Sequence, residues 1–199
     1  MSDQARRRVT DAQALAALSH PARQRLLDAL SAHGPGTVGA LADRTGQAAG
    51  SVSHHLTVLS RFGFVQEAPE LARDQREHWW RGSRASYTWS ADDFAGDVVG
   101  EAIAAAAASN NLERQVQRVR DWLRYRDGRA DTDADADSYA TDAWMQLSDD
   151  EVHAIGEEIQ ALFVHWARRD VPDDGARRRP VFGFAHLVPG VPPTNQVDP

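Results

Sequence analysis

Apolar residues recur at helical spacing through the first third of the chain. Ala14, Leu15 and Leu18 mark a first helix, with Thr10 or Asp11 placed to cap it. His20-Pro21 restarts the chain, since proline fits a first helical turn where its missing N–H would be unpaired anyway. The second helix is expected from about Pro21 to Ala32, with Leu26, Leu27 and Leu30 facing inward. His33-Gly34-Pro35-Gly36 stops it. Thr37 caps a third helix with Val38 and Leu41 inward, closed by Gly46. A fourth runs from about Ala48 to Phe62 on a stripe of Val52, Leu56 and Leu59. After Gly63 the period changes. Phe64–Glu70 reads as a strand, Leu71–Gln75 as a polar tip and Arg76–Arg81 as a returning strand. Trp79 and Trp80 alternate on that strand, so one packs on the helices and the other is more exposed.

The second half has a different texture. A long helix is expected from Asp92, with Phe94, Val98, Ala105, Leu112, Val116, Val119 and Leu123 in a heptad-like seam. Such a seam calls for a partner helix. The favoured one is the same helix of a second subunit; the alternative is the C-terminal helix of the same chain. Ser109-Asn110-Asn111 is a candidate kink. Residues 127–137, DGRADTDADAD, are acidic without larger apolar residues and read as a flexible linker. Their alternating Asp lack the central Gly and closing Glu of a calcium loop, which argues against calcium. Ser148 with Glu151 forms a capping box. The helix it opens carries Val152, Ile155, Ile159, Leu162, Phe163 and Trp166 on one face, and Pro172 prevents its continuation. Residues 179–188 are a candidate last strand, and a disordered tail is expected from Pro189. The expected parts are a domain at 1–90, a long dimerisation helix at 91–126, an acidic linker at 127–140 and a helical extension with flexible tail at 141–199. The fold class is mainly α with a small β-wing.

Charge divides the chain in the same place. The formal net charge of −7 hides a first 90 residues near +3 and a remainder near −10. A basic half beside an acidic half suggests that the first meets a polyanion. Every basic residue is Arg, whose planar fork suits phosphate and guanine. No Cys is present, which excludes disulfides and thiolate metal sites. No apolar run is long enough to span a membrane, and MSDQARRRVT has no apolar region after it, so a cytoplasmic protein without a secretory signal is expected.

Candidate chemistry concentrates on the third and fourth helices. Ser51, Ser53, His54, Thr57 and Arg61 give the fourth helix short hydrogen-bonding side chains of the kind that read base edges. His55 is either a DNA contact or bonded within the fold. The full candidate DNA-contacting set is Thr37, Gln47, Ser51, Ser53, His54, His55, Thr57, Arg61, Arg73 and Arg76. Arg73 and Arg76 flank the wing tip, and Arg6, Arg7 and Arg8 are a candidate arm along DNA. Phe94, Val98, Leu112, Val116, Val119 and Leu123 form the candidate dimerisation set. His153 and His165 are twelve positions apart, too far to share a metal within one chain.

Four runs, LAALSHPARQRLLDAL, TVGALADRTG, SVSHHLTVLSRFGFVQE and REHWWRG, resemble the ArsR-type winged helix-turn-helix transcriptional regulators over about residues 11–90. The Leu-Ser-His-Pro-x-Arg opening and the Val-Ser-x-His-Leu-x-x-Leu core carry the resemblance. It implies a symmetric dimer, a recognition helix in each major groove, wings on the backbone or minor groove, and a palindromic operator. Three departures stand out. Ala48, Ala49 and Gly50 replace the Ser cap, Gln and Ser often found there, which removes a cap and two base-edge donors. Gly39, Ala40, Leu41 and Ala42 occupy the region of the family's thiolate metal site, and residues 92–126 hold no His; no metal or cofactor is expected. The C-terminal hundred residues lie outside the minimal family fold, and binding an effector, completing the dimer and recruiting a protein partner all stay open for them.

The leading expectation is a sequence-specific DNA-binding regulator, a dimeric repressor. The alternative is a winged-helix protein-interaction module acting through the acidic C-terminal half. An enzyme is disfavoured, since no Gly-rich phosphate loop, paired-carboxylate cleft or nucleophile motif stands out.

Overall fold

A computed structural model describes residues 7–74, 77–83, 85, 87–127 and 138–191. The chain divides into two compact units, Met1–Leu123 and Arg124–Pro199.

The first unit opens with β1 (Arg7–Arg8), α1 (Ala12–Ser19) and α2 (Pro21–His33). Asp11 caps α1 by accepting the Gln13 N–H at 2.8 Å. The α1–α2 junction explains the His-Pro-Ala-Arg-Gln run. His20 Nδ1 accepts the Ala22 N–H at 3.2 Å and so caps α2. Arg23 Nε donates to the Ala17 carbonyl at 2.6 Å, and Gln24 Nε2 to that of Leu18 at 2.5 Å. The last carbonyls of α1, which have no partner inside their own helix, are thereby satisfied from the first turn of the next.

β2 (Gly36–Thr37) leads into α3 (Val38–Thr45), and α4 (Ala49–Arg61) follows. Thr37 Oγ1 accepts the Ala40 N–H at 3.3 Å as the α3 cap. Gly46 ends that helix in the left-handed region at φ 64°, where a Cβ is strained. β3 (Val65–Glu67) and β4 (Trp79–Gly82) form the wing, and β4 lies centrally in an antiparallel sheet of order β2-β4-β3. The register pairs Gly36 with Trp80 and Val65 with Gly82. β1 pairs in parallel with β5 (Tyr87–Thr88). The core joins Leu15, Leu18, Leu26, Leu30, Leu41, Val52, Leu56, Leu59, Phe64, Val65 and Trp80.

Two sequence expectations shift here. β3 stops at Glu67, and Pro69–Leu71 turn as a 3-10 helix, because Pro69 has no N–H for the ladder. The long helix α5 (Val98–Asp127) begins six residues later than expected. Ser90 and Asp93 form a capping box around a separate 3-10 turn, Ala91–Phe94. Phe94 consequently lies off the helix, only 4% exposed, inside the chain's own core. The helix passes unbroken through Ser109–Asn111.

In the second unit, α6 (Asp149–Arg168) starts at the expected box: Ser148 Oγ accepts the Glu151 N–H at 3.3 Å, and Glu151 accepts that of Ser148 at 2.7 Å. The strand expected at residues 179–188 is absent. No strand is described elsewhere in this unit, and a strand exists only against a ladder partner. Residues 128–137, which hold most of the acidic linker and its Asp run, lie outside the described residues, as do residues 192–199 of the tail.

Candidate nucleic-acid interface

The α3–turn–α4 pair is held from several sides. The Gly46 and Gln47 N–H groups both donate to the Ala42 carbonyl. Gln47 Nε2 donates to the Ala22 carbonyl at 3.2 Å, tying the turn to α2. Thr37 and Gln47, expected as DNA contacts, thus serve the framework: one caps α3 and the other braces the turn.

Val52, Leu56 and Leu59 are fully buried under α4. On its opposite side Gly50, Ser53, His54, Thr57 and Arg61 are exposed, and Ser51 is exposed on the flank. Residues three and four apart share a helix face, so these form one continuous strip. It contains no carboxylate. Thr57 Oγ1 donates to the Ser53 carbonyl at 2.9 Å, which leaves its oxygen free to accept. Ala48 gives α4 no side-chain cap, so the helix's first N–H groups are left for solvent or an anion.

The far end of α4 is capped from a distance. Arg7 donates to the Phe62 carbonyl at 2.7 Å and lies 5.7 Å from the Phe64 ring centroid. A cation there suits the negative end of the helix dipole. Arg8 pairs with Asp93 at 2.5 Å. The Ser90 N–H first, and then Arg8, hold the Asp93 carboxyl below its usual range. Arg7 and Arg8 are therefore fastened to the body, not extended as an arm; Arg6 lies outside the described residues. Sequence reading missed the Arg7 cap because its two ends are 55 residues apart.

His55 is half-buried and turned toward α2. Its ring centroid lies 5.1 Å from that of His20 and 5.5 Å from that of His54. Its Nδ1 is buried without a hydrogen-bond partner. Burial first, then the neighbouring His20, Arg23, His54 and Arg25, depress its pKa. Burial together with Arg23 and Arg25 lowers that of His20 as well. Among the described residues no group of three or more His, Asp or Glu is placed to hold a metal ion.

The wing is less basic than expected. Arg81 is paired with Glu70. Glu77 accepts the Arg73 N–H and the Trp79 indole N–H, each at 3.1 Å, which holds its carboxyl low. Glu67, Glu70 and Asp74 are also exposed here, beside the exposed side chain of Arg73. Arg76 lies outside the described residues. Trp80 is the buried member of its pair, and Trp79 lies on the more open side.

α5 has two unlike faces. Gly100, Ala104 and Ala107 are buried, small residues that let the helix lie close. Further along the same side, Arg114 pairs with Asp28 of α2 at 3.4 Å and Arg118 pairs with it too. Burial raises the Asp28 carboxyl against the opposing pull of Arg118 and Arg114. On the other side lies the seam: Val98 is 82% exposed, Leu112 44% and Val119 42%, with Leu123 exposed and Val116 half-buried.

A family model described as a helix-turn-helix domain matches residues 18–67, which run from the end of α1 through β3. No curated protein matches the chain. The matched region holds the α3–turn–α4 pair, and the fold around it is that of a winged helix-turn-helix. Among the described residues, no helix is long and apolar enough to cross a membrane.

Proposed function

We propose that this protein is a sequence-specific transcriptional regulator of the ArsR-like winged-helix type, acting as a dimeric repressor. One observation carries the reading: the exposed side of α4 is a continuous, carboxylate-free strip of Ser53, His54, Thr57 and Arg61, with its back fully buried. A helix of this width fits a major groove, where such side chains donate to and accept from base edges. Ser51 and the uncapped start of α4 approach the backbone, and Arg73 supplies a phosphate contact. His55 positions α4 against α2. The α5 seam of exposed Val98, Leu112, Val119 and Leu123 with half-buried Val116 pairs two copies, so that two α4 helices read a palindrome. Phe94, committed to the core, supports this helix from behind.

The acidic wing favours a second reading, a protein-interaction module working through the acidic C-terminal half. Salt dependence separates the two, because DNA contacts release counterions and weaken steeply as salt rises. The deciding experiment is selection of bound duplexes from a random pool. A palindrome with half-sites about one helical turn apart is expected; absence of any enriched sequence overturns the reading.

A further inference from the structure

Among the described residues of the second unit, α6 carries an apolar face that is only partly covered. Val152, Ile155, Ile159, Leu162 and Trp166 follow alternating steps of three and four along α6, the spacing of a coiled-coil seam. No α6 residue is buried; Leu162 is 55% exposed and Trp166 59%. Val152, Ile155 and Ile159 are half-buried, the Arg169 guanidinium lies 4.9 Å from the Trp166 ring centroid, and Gly183 of the C-terminal segment passes against the Phe163 ring.

Charge selects the occupant. The first half of α6 carries Asp149, Asp150, Glu151, Glu157 and Glu158; the end carries His165, Arg168 and the cap Arg169. A parallel second copy would set five carboxylates against five. An antiparallel copy sets each acidic half against the basic end of the other. We propose that α6 pairs antiparallel with α6 of a second copy of this chain.

The seam fixes the register. Ile155 packs on the partner's Trp166 and Ile159 on the partner's Leu162, each twice by symmetry. Glu158 then comes beside the partner's His165. Phe163 comes opposite the partner's Gly156, where open space surrounds the backbone. The pairing stands whether or not the chain binds DNA, and it is separate from pairing through α5.

The absence of Cys gives a clean test in the full-length protein. In the double variant Ile155→Cys, Trp166→Cys the two thiols are eleven residues, about 16 Å, apart along one helix, beyond the roughly 7 Å a disulfide spans between Cα atoms. Mild oxidation is expected to convert most of the double variant to a covalent dimer, seen on a non-reducing gel, while each single variant stays uncrosslinked. Dimers from the single variants overturn the antiparallel register. Absence of dimer from the double variant, with circular dichroism showing α6 intact, overturns the pairing itself.

Discussion

At the scale of single residues, the strip on α4 and the histidines behind it divide the labour. Ser53 and His54 are exposed and lie outside the buried stripe, so their removal should spare the fold. Ser53→Ala with His54→Ala is expected to weaken binding to the selected operator by about 1–3 kcal/mol per lost base contact while random-sequence binding changes little, read by titration on both duplexes. His55 behaves differently. Because its pKa and that of His20 are depressed below 6.5 in the folded state, the folded chain binds fewer protons than the unfolded chain just below pH 6.5. Stability from these groups is therefore complete above that pH and lost as pH falls through the lowered values. Thermal unfolding followed from pH 8 to 5 should show the loss, and His55→Gln should flatten it.

At the scale of elements, the caps of the helix pair are unequal. Thr37 and Gly46 bracket α3 well, whereas Ala48 leaves α4 without a side-chain bond. Ala48 already has the extended backbone a cap requires, with φ −65° and ψ 138°. Ala48→Ser is accordingly expected to stabilise the protein by about 1 kcal/mol in urea unfolding. Gly46→Ala, forced to hold φ 64°, should destabilise it by about 1 kcal/mol. An unchanged midpoint for both would refute the assignment of these turns. The same comparison measures what the missing cap does for binding, since a Ser at position 48 also competes for the N–H groups that would face a phosphate.

At the scale of the molecule, α5 has a docked side and an open one. Ala104 and Ala107 join the core, Arg114 and Arg118 tie the helix to Asp28 of α2, and the outer face carries exposed apolar residues. Asp28→Ala would remove the carboxylate that Arg114 and Arg118 share and is expected to cost about 2 kcal/mol of stability. Leu112→Glu with Val119→Glu should leave stability nearly intact but separate the α5 pair. Sedimentation would report that separation, and operator affinity would fall because two half-sites no longer bind as one.

Much of this architecture is legible in the sequence because its signals are local. The Asp11, Thr37 and Ser148 caps, the stop at Gly46 and the stripe Val52–Leu56–Leu59 each depend on residues within a few turns, and each is where the pattern places it. Periodicity also marked the α5 seam, but not that the helix starts only at Val98 or that Phe94 belongs to the core. Those outcomes, like the Arg7 cap, the His20–His55 contact and the Arg81–Glu70 pair of the wing, join groups whose energies depend on who arrives beside them. The candidate strand at 179–188 failed for the same reason, since its hydrogen bonds require a neighbour that the sequence cannot promise. The sequence by itself determined the helices, most of their ends and the polar strip of α4, because propensity and spacing act within a turn or two. Only the tertiary structure decided which arginines are occupied, which histidines lie against each other and which apolar faces remain open, because burial and pairing are properties of the packed chain.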